Sequence, residues 1–450
     1  MNAYKLFHPD LTNDNIWKSV LAFMFPMMIS YVFQQLYNTA DSIIVGHFLG
    51  ESSLAAIGSC AAISELLIGF GTGFGNGLGI VASRYYGACN TNNLKKVTFA
   101  SVIITCFVTL FIILSGVFGL KPLLKLLGTP DSIIDQAFSY IWTVAIFSGV
   151  LFAYNLLSGL LRAIGNSFMP LIFLIIASVL NIALDLFFVI VLKWGVKGTA
   201  IATVIAQGIS AILCFFYILK KAPLLIPGKE HLKVQKAIYI DLIGQGLSMA
   251  LMSALVSSGS VILQYSINSF DTYIIAGHIT ARKIFGLTII PLIALGLSSS
   301  TFVSQNLGAG KLDRIKKGIR ISNLLCIIWG ILCTIFIPLL ARSLIQAVSG
   351  STSDQLVDFG TKYISFMQPF YAVLGVLFVS RNSLQGLGSK FLPLISSIIE
   401  LAGKIAFTLV IIPFLGIWGI IICEPLIWVL MTIQLLIALV KKLRSLTNKI

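Results

Sequence analysis

Apolar stretches of 18 residues or more follow one another along nearly the whole chain, separated by short segments rich in Gly, Pro or charge. In lipid a backbone must satisfy its own hydrogen bonds, and about 20 apolar residues make one helical crossing. The pattern predicts spans at 17–45, 53–83, 95–119, 136–163, 168–192, 196–220, 240–267, 272–306, 318–342, 356–386, 391–414 and 416–440. That is an all-α integral membrane protein of twelve transmembrane helices. Composition agrees, with 57% of residues apolar, 10% charged and a mean hydropathy of +0.97, whereas a soluble domain is about 25% charged. A water-soluble enzyme is excluded.

Lys and Arg number 31 against 16 Asp and Glu, a formal charge of +15. On a soluble domain that excess would suggest nucleic acid. In a membrane protein it is topological, because basic loops stay in the cytoplasm, and no nucleic-acid partner is expected. The N-terminal tail, the loops after even-numbered helices and the C-terminal tail hold most of the basic residues, including Lys220, Lys221, Lys229, Lys233, Lys236, Lys311, Arg314, Lys316, Lys317 and Arg320. The opposite loops hold Lys121, Lys125, Lys193, Lys197, Arg342 and Lys362. Both termini are therefore expected in the cytoplasm. The apolar run after the polar first fifteen residues is too long for a signal-peptide core and lacks a small-residue cleavage site, so it is expected to be the first span. The seven cysteines form no C-x-x-C pair and lie mostly in apolar stretches, which suits packing better than a disulfide framework or a metal site.

The two halves repeat. A slide of 221 residues places Ala55 on Ala276, Ser83 on Ser304, Gly87 on Gly308 and Lys95-Lys96 on Lys316-Lys317; a slide of 223 places Tyr140 on Tyr363, Gly165 on Gly388 and Pro170 on Pro393. The expected domains are a six-helix N-lobe over 1–220, a cytoplasmic linker over 221–239 and a six-helix C-lobe over 240–450. Six helices per repeat give both halves one orientation, an arrangement found in transporters that rock one half against the other.

Five acidic residues lie inside apolar spans: Asp41, Glu65, Asp185, Glu400 and Glu424. At membrane depth an ionisable group persists where it faces a partner or a wet cavity. Asp185 follows Asn181 by four residues, so both project from one face of helix 5, and Asn155 and Thr203 lie in helices 4 and 6. Desolvation favours a protonated acid, so such a group can exchange a proton near neutral pH or offer oxygens to Na⁺. The competing reading is a hydrogen bond tying helices together. Asp41 lies at similar depth in helix 1. Glu400 stands four residues before Lys404, which suits an internal ion pair as well as a transport role. Glu424 is placed where it can reach water or a loop donor, and Glu65 has no sequence partner. At the repeat slides Asp41 falls on Ile262 and Asp185 on Thr408, so a coupling-ion site is expected in the first half only.

The glycines at 69, 71, 73, 75, 77 and 79 never make G-x-G-x-x-G, and no Walker motif occurs. Small residues in a helix allow close packing and bending. His8, His47, His231 and His278 have no ligand spacing, so no metal is expected. Pro26, Pro291 and Pro369 interrupt helices 1, 8 and 10, and Pro26 is a candidate hinge below Asp41.

Taken together, Pro26, "YNTADSIIVGHFLG", "LAAIG", "GLLRAIGNSFMP", "LNIALDLFFVIVLKWGVKGTAIATVIAQ" and "SQNLGAGKLDRIKKG" resemble the MATE (multidrug and toxic compound extrusion) family over nearly the whole chain. The resemblance implies two pseudo-symmetric six-helix lobes forming a V-shaped cavity. It implies exchange of an outgoing cationic or amphipathic small molecule for incoming H⁺ or Na⁺, with no other cofactor. It also implies that Asp41, Asn155, Asn181, Asp185 and Thr203 occupy the N-lobe positions that bind the coupling cation. A monomer in a bacterial plasma membrane, in contact with its lipids, is the expected setting. Glu65, Gln264, Arg282, Gln368 and Glu400 are further cavity-lining candidates.

Some relatives use extra acidic residues in helices 7 and 10 for Na⁺. Here helix 7 has Gln245 and Gln264, with Asn268 just beyond, helix 10 has Gln368 and Arg381, and Ser248 stands where many relatives have Pro. Proton coupling through the N-lobe is the favoured mechanism. The alternative is a lipid-linked oligosaccharide flippase of the same superfamily, for which Arg282, Lys283 and Arg381 would line a pyrophosphate cavity.

Overall fold

The structure, a computed structural model, describes residues 9–448, and every regular element among them is helical. In chain order these are α1 (Ile16–Leu49), α2 (Glu51–Gly87), α3 (Thr91–Leu126), α4 (Ile134–Ile146 and Ser148–Ala163), α5 (Phe168–Val191) and α6 (Gly195–Lys221). They continue as α7 (Lys236–Ile267), α8 (Thr272–Thr288 and Ile290–Gly308), α9 (Leu312–Ser349), α10 (Asp354–Gly386), α11 (Phe391–Leu415) and α12 (Ile417–Thr447). Ten are single helices long and apolar enough to cross a membrane. The broken pairs α4 and α8 bend by 44° and 43°, and counting each as one span gives twelve. Several helices run to 34–38 residues, beyond the ~20 that hydrocarbon requires, because their polar ends continue the helix past the apolar run.

The chain forms two compact units, one of Ile29–Leu251 with Pro9, the other of Asp10–Met28 and Met252 onward. The divisions fall inside α1 and α7. Residues 221–239 pack with the first unit, whose core includes Ala222, Leu225 and Ile238 alongside Phe74, Leu78, Phe152 and Leu160. In the second unit Phe285 stacks on Trp428 and meets Tyr371 edge-on.

The period-two glycines of α2 have a geometric cause. Residues four apart share a helix face, and residues two apart point roughly opposite ways. Gly73 and Gly77 face α7, where an added Cβ would come within 2.6 Å of the Met249 and Gln245 carbonyl oxygens; Gly75 and Gly79 face α4, within 2.7 Å of Asn155 and 2.9 Å of Gly159. Two small-residue faces thus let α2 meet two helices at backbone distance.

The breaks in α8 and α10 coincide with proline: α8 bends just before Pro291, and Gln368–Phe370 form a 3₁₀ turn around Pro369. Pro26, expected to interrupt helix 1, lies within one continuous helix, and the division between units falls just after it, at Met28. Two π-helical turns, Phe187–Val191 in α5 and Phe407–Ile411 in α11, occupy equivalent places in the two repeats; the second is followed closely by Pro413, the first by no proline. Each is followed by a corner at a glycine with positive φ, Gly195 (+60°) and Gly416 (+54°), a conformation that favours glycine.

Candidate functional site

The helical period puts Asn181 and Asp185 on one face of α5, where both are buried, Asp185 completely. α5 packs against α6, which brings Thr203 opposite, and the Asn181 amide donates to the Thr203 hydroxyl at 3.4 Å. From α1, Asp41 lies close enough to Asp185 and Thr203 to interact with both electrostatically. Asn155 on α4 donates to the Leu151 carbonyl at 2.9 Å and joins Asn181 and Thr203 in lining an adjoining cavity with room for about 30 Å³. That is space for an ion or one or two waters. All five expected residues therefore converge within the first unit, and Asp185 lies two residues before the π turn, a feature frequent at functional sites.

The site is short of donors. Both oxygens of Asp185, Asp41 Oδ1 and Asn181 Oδ1 are buried with no hydrogen-bond donor among the described residues. Each buried unsatisfied acceptor costs about 1–3 kcal/mol, and facing carboxyls repel unless a proton or a cation lies between them. The oxygens can be satisfied by a shared proton, by Na⁺ or by water. Gln34, Tyr37 and Gln207 also line the cavity. Their spacing is that of any helix face and gave no sequence signal.

None of the other candidates borders this cavity. Glu65 is exposed on α2. Gln264 donates to Asn268 at 2.8 Å, and Gln368 is fully buried, its carbonyl accepting from Thr334. Arg282 and Glu400 belong to a charged network in the second unit. Arg282 meets Glu424 at 2.7 Å, Lys404 lies 3.1 Å from Glu400 and 3.7 Å from Glu424, and Arg381 lies 3.7 Å from Glu400. The expected Glu400–Lys404 pair is thus one link of a longer chain. Glu424 is buried by α8 and α11 instead of reaching water. That pairing spans 142 residues of sequence, too far for local spacing to indicate. Among the histidines, His47 meets Phe48 edge-on, His231 contacts Glu230 and His278 is buried edge-on to Tyr363; His8 lies outside the described residues.

The sequence model of the MatE family matches residues 26–187 and again 248–410. A probable multidrug resistance protein of Bacillus subtilis, YpnP, is 26% identical over 402 residues, covering 89% of this chain and 88% of its own. The multidrug export protein MepA of Staphylococcus saprophyticus is 23% identical, covering 83% and 82%. A crystal structure of MATE in complex with MaL6 superposes with a TM-score of 0.91 at 21% identity, over 97% of this chain and 98% of that one.

Proposed function

Because the chain belongs to the MATE family of multidrug efflux transporters, multi-pass membrane proteins that handle small molecules, we propose that it exports cationic or amphipathic compounds in exchange for protons by alternating access. The observation that carries this reading is the meeting of Asp41 and Asp185 with buried oxygens that lack donors. Deprotonated, the pair attracts a cation; a proton taken up from outside weakens that attraction and favours release. The adjoining cavity is sized for an ion or water, so the pair acts on a drug through charge. Asn181 and Thr203, joined to each other beside the carboxyls, would supply further oxygens if Na⁺ took the proton's part. We place both termini in the cytoplasm of a bacterial plasma membrane and treat the monomer as the working unit.

The flippase alternative requires Arg282, Lys283 and Arg381 to be turned toward a pyrophosphate. Two of these are engaged with Glu424 and Glu400, which weakens that reading. The test is efflux of a cationic fluorescent dye from proteoliposomes under a pH gradient and, separately, a Na⁺ gradient. The expected result is pH-driven movement that Asp185→Asn abolishes. Movement driven by Na⁺ alone would overturn the choice of ion, and none under either gradient in folded protein would overturn the export reading.

A further inference from the structure

The basic residues at the start of α9 fall into two groups. Lys311 and Arg314 hold the segment before α1: Lys311 Nζ donates to Thr12 O at 3.0 Å and to Asn13 Oδ1 at 2.6 Å, and Arg314 Nη2 donates to Leu11 O at 3.0 Å and to Asp14 O at 2.6 Å. Asn306 adds a bond to Leu11 O at 3.0 Å, and Leu11 is buried. The start of α1 is thereby fixed beside the start of α9, both within the second unit.

Lys317 and Arg320, on the next turn, do something else. Both are exposed. With Asn15, Ile16 and Trp17 of the α1 start and with Ile321, they line an open groove with room for about 300 Å³, and no Asp or Glu is among its walls. Residues 317, 320 and 321 share one helix face by their three- and four-residue spacing. The groove therefore has two cations at one place, an indole and two isoleucines at another, and no acid among its lining residues, Asp313 lying one turn before Lys317 and Asp14 one residue before Asn15. It lies at the ends of two membrane-crossing helices, where an amphipathic Trp ring marks the lipid–water boundary. Basic pockets between helices at that level suit acidic lipid headgroups.

We propose that this groove binds the headgroup of an anionic phospholipid. Lys317 and Arg320 donate to the phosphodiester oxygens, the Trp17 ring rests at headgroup level, and the first methylenes of an acyl chain lie along Ile16 and Ile321. A lipid held there bridges α1 and α9 and supplements the clamp formed by Lys311 and Arg314.

The test titrates the purified full chain in detergent with phosphatidylglycerol and phosphatidylcholine, reading bound lipid by native mass spectrometry and stability by thermal unfolding. Phosphatidylglycerol should be preferred by about tenfold or more, from two cations at the membrane surface, and should raise the midpoint. Lys317→Gln with Arg320→Gln should bring the preference close to one without changing the lipid-free midpoint. Lys441→Gln with Arg444→Gln, which removes the same charge from exposed positions on α12, should leave it intact. Equal retention of both lipids by the parent, or equal loss of preference in both double variants, overturns the proposal. Displacement of the lipid by millimolar inorganic phosphate would assign the groove to free phosphate, and displacement by polyglutamate to an acidic protein segment; either result also overturns it.

Discussion

Buried carboxyls meet opposite fates in the two units. In the first, Asp41 and Asp185 face each other and a hydroxyl, and both Asp185 oxygens are without a donor. In the second, Glu400 and Glu424 are met by Lys404, Arg381 and Arg282. An acid enclosed by cations has its charge paired within the protein. An acid enclosed by acceptors must take a proton or a cation from elsewhere. The repeat has therefore diverged in chemistry while keeping its helices: the buried acids of one unit lack donors, and those of the other are paired with cations.

The strongest way to break this contrast is to neutralise one acid on each side. Asp185→Asn should reduce gradient-driven dye export to the leak of empty vesicles while lowering the unfolding midpoint little, since it removes an unsatisfied charge. Glu424→Gln should leave export gradient-driven in whatever protein folds. Export that survives the first change, or that is lost only in the second, would reverse the assignment of roles.

Next in size are stability effects. Glu424→Ala strands the Arg282 guanidinium and should cost about 3–5 kcal/mol, read as a lower unfolding midpoint and poorer yield in detergent. Replacing both partners, Arg282→Met with Glu424→Leu, should recover most of that loss. If the single and double variants are equally stable, the network does not tie the second unit together. Gly77→Ala should cost about 1–3 kcal/mol by overpacking, because its Cβ would meet the α7 backbone at 2.6 Å. A Gly58→Ala control, where nothing lies within 4 Å, should change the midpoint little.

Much of this was legible in the sequence because the signals were local. Apolar runs of membrane length marked the helices, and the four-residue step from Asn181 to Asp185 placed both on one face. Asp41, Asn155 and Thr203 stood out as polar residues in neighbouring helices, and the family resemblance joined them to the same expected site. What escaped is non-local or carried by backbone geometry. Arg282 and Glu424 meet across 142 residues, so Glu424 reads as a helix-end acid until the fold is seen. The π turn after Asp185 consists of ordinary apolar residues. Pro26 reads as an interruption, yet a 34-residue helix carries it without a break.

The smallest expected effect concerns Asp10, another satisfied acid of the second unit. Burial works against its charge, but hydrogen bonds from Thr12 and Asn13 outweigh this and hold its carboxyl below the ordinary value of 3.8. A depressed folded value means the turn is fully supported above pH 3.8 and loses support as the pH falls below it. Hydrogen exchange at the Thr12 and Asn13 amides, corrected for intrinsic rates, should lose protection in that range. Protection that does not change with pH would show that Asp10 contributes nothing to the turn.

The most direct measurement of the central claim is proton release on substrate binding. Tetraphenylphosphonium would be added to weakly buffered, detergent-purified protein near neutral pH with a pH electrode as the readout. A carboxyl pair sharing one proton should release about one per bound cation, in the parent and in Glu424→Gln alike, and Asp185→Asn should release none. Unchanged release from Asp185→Asn, or release lost only in Glu424→Gln, would contradict the account.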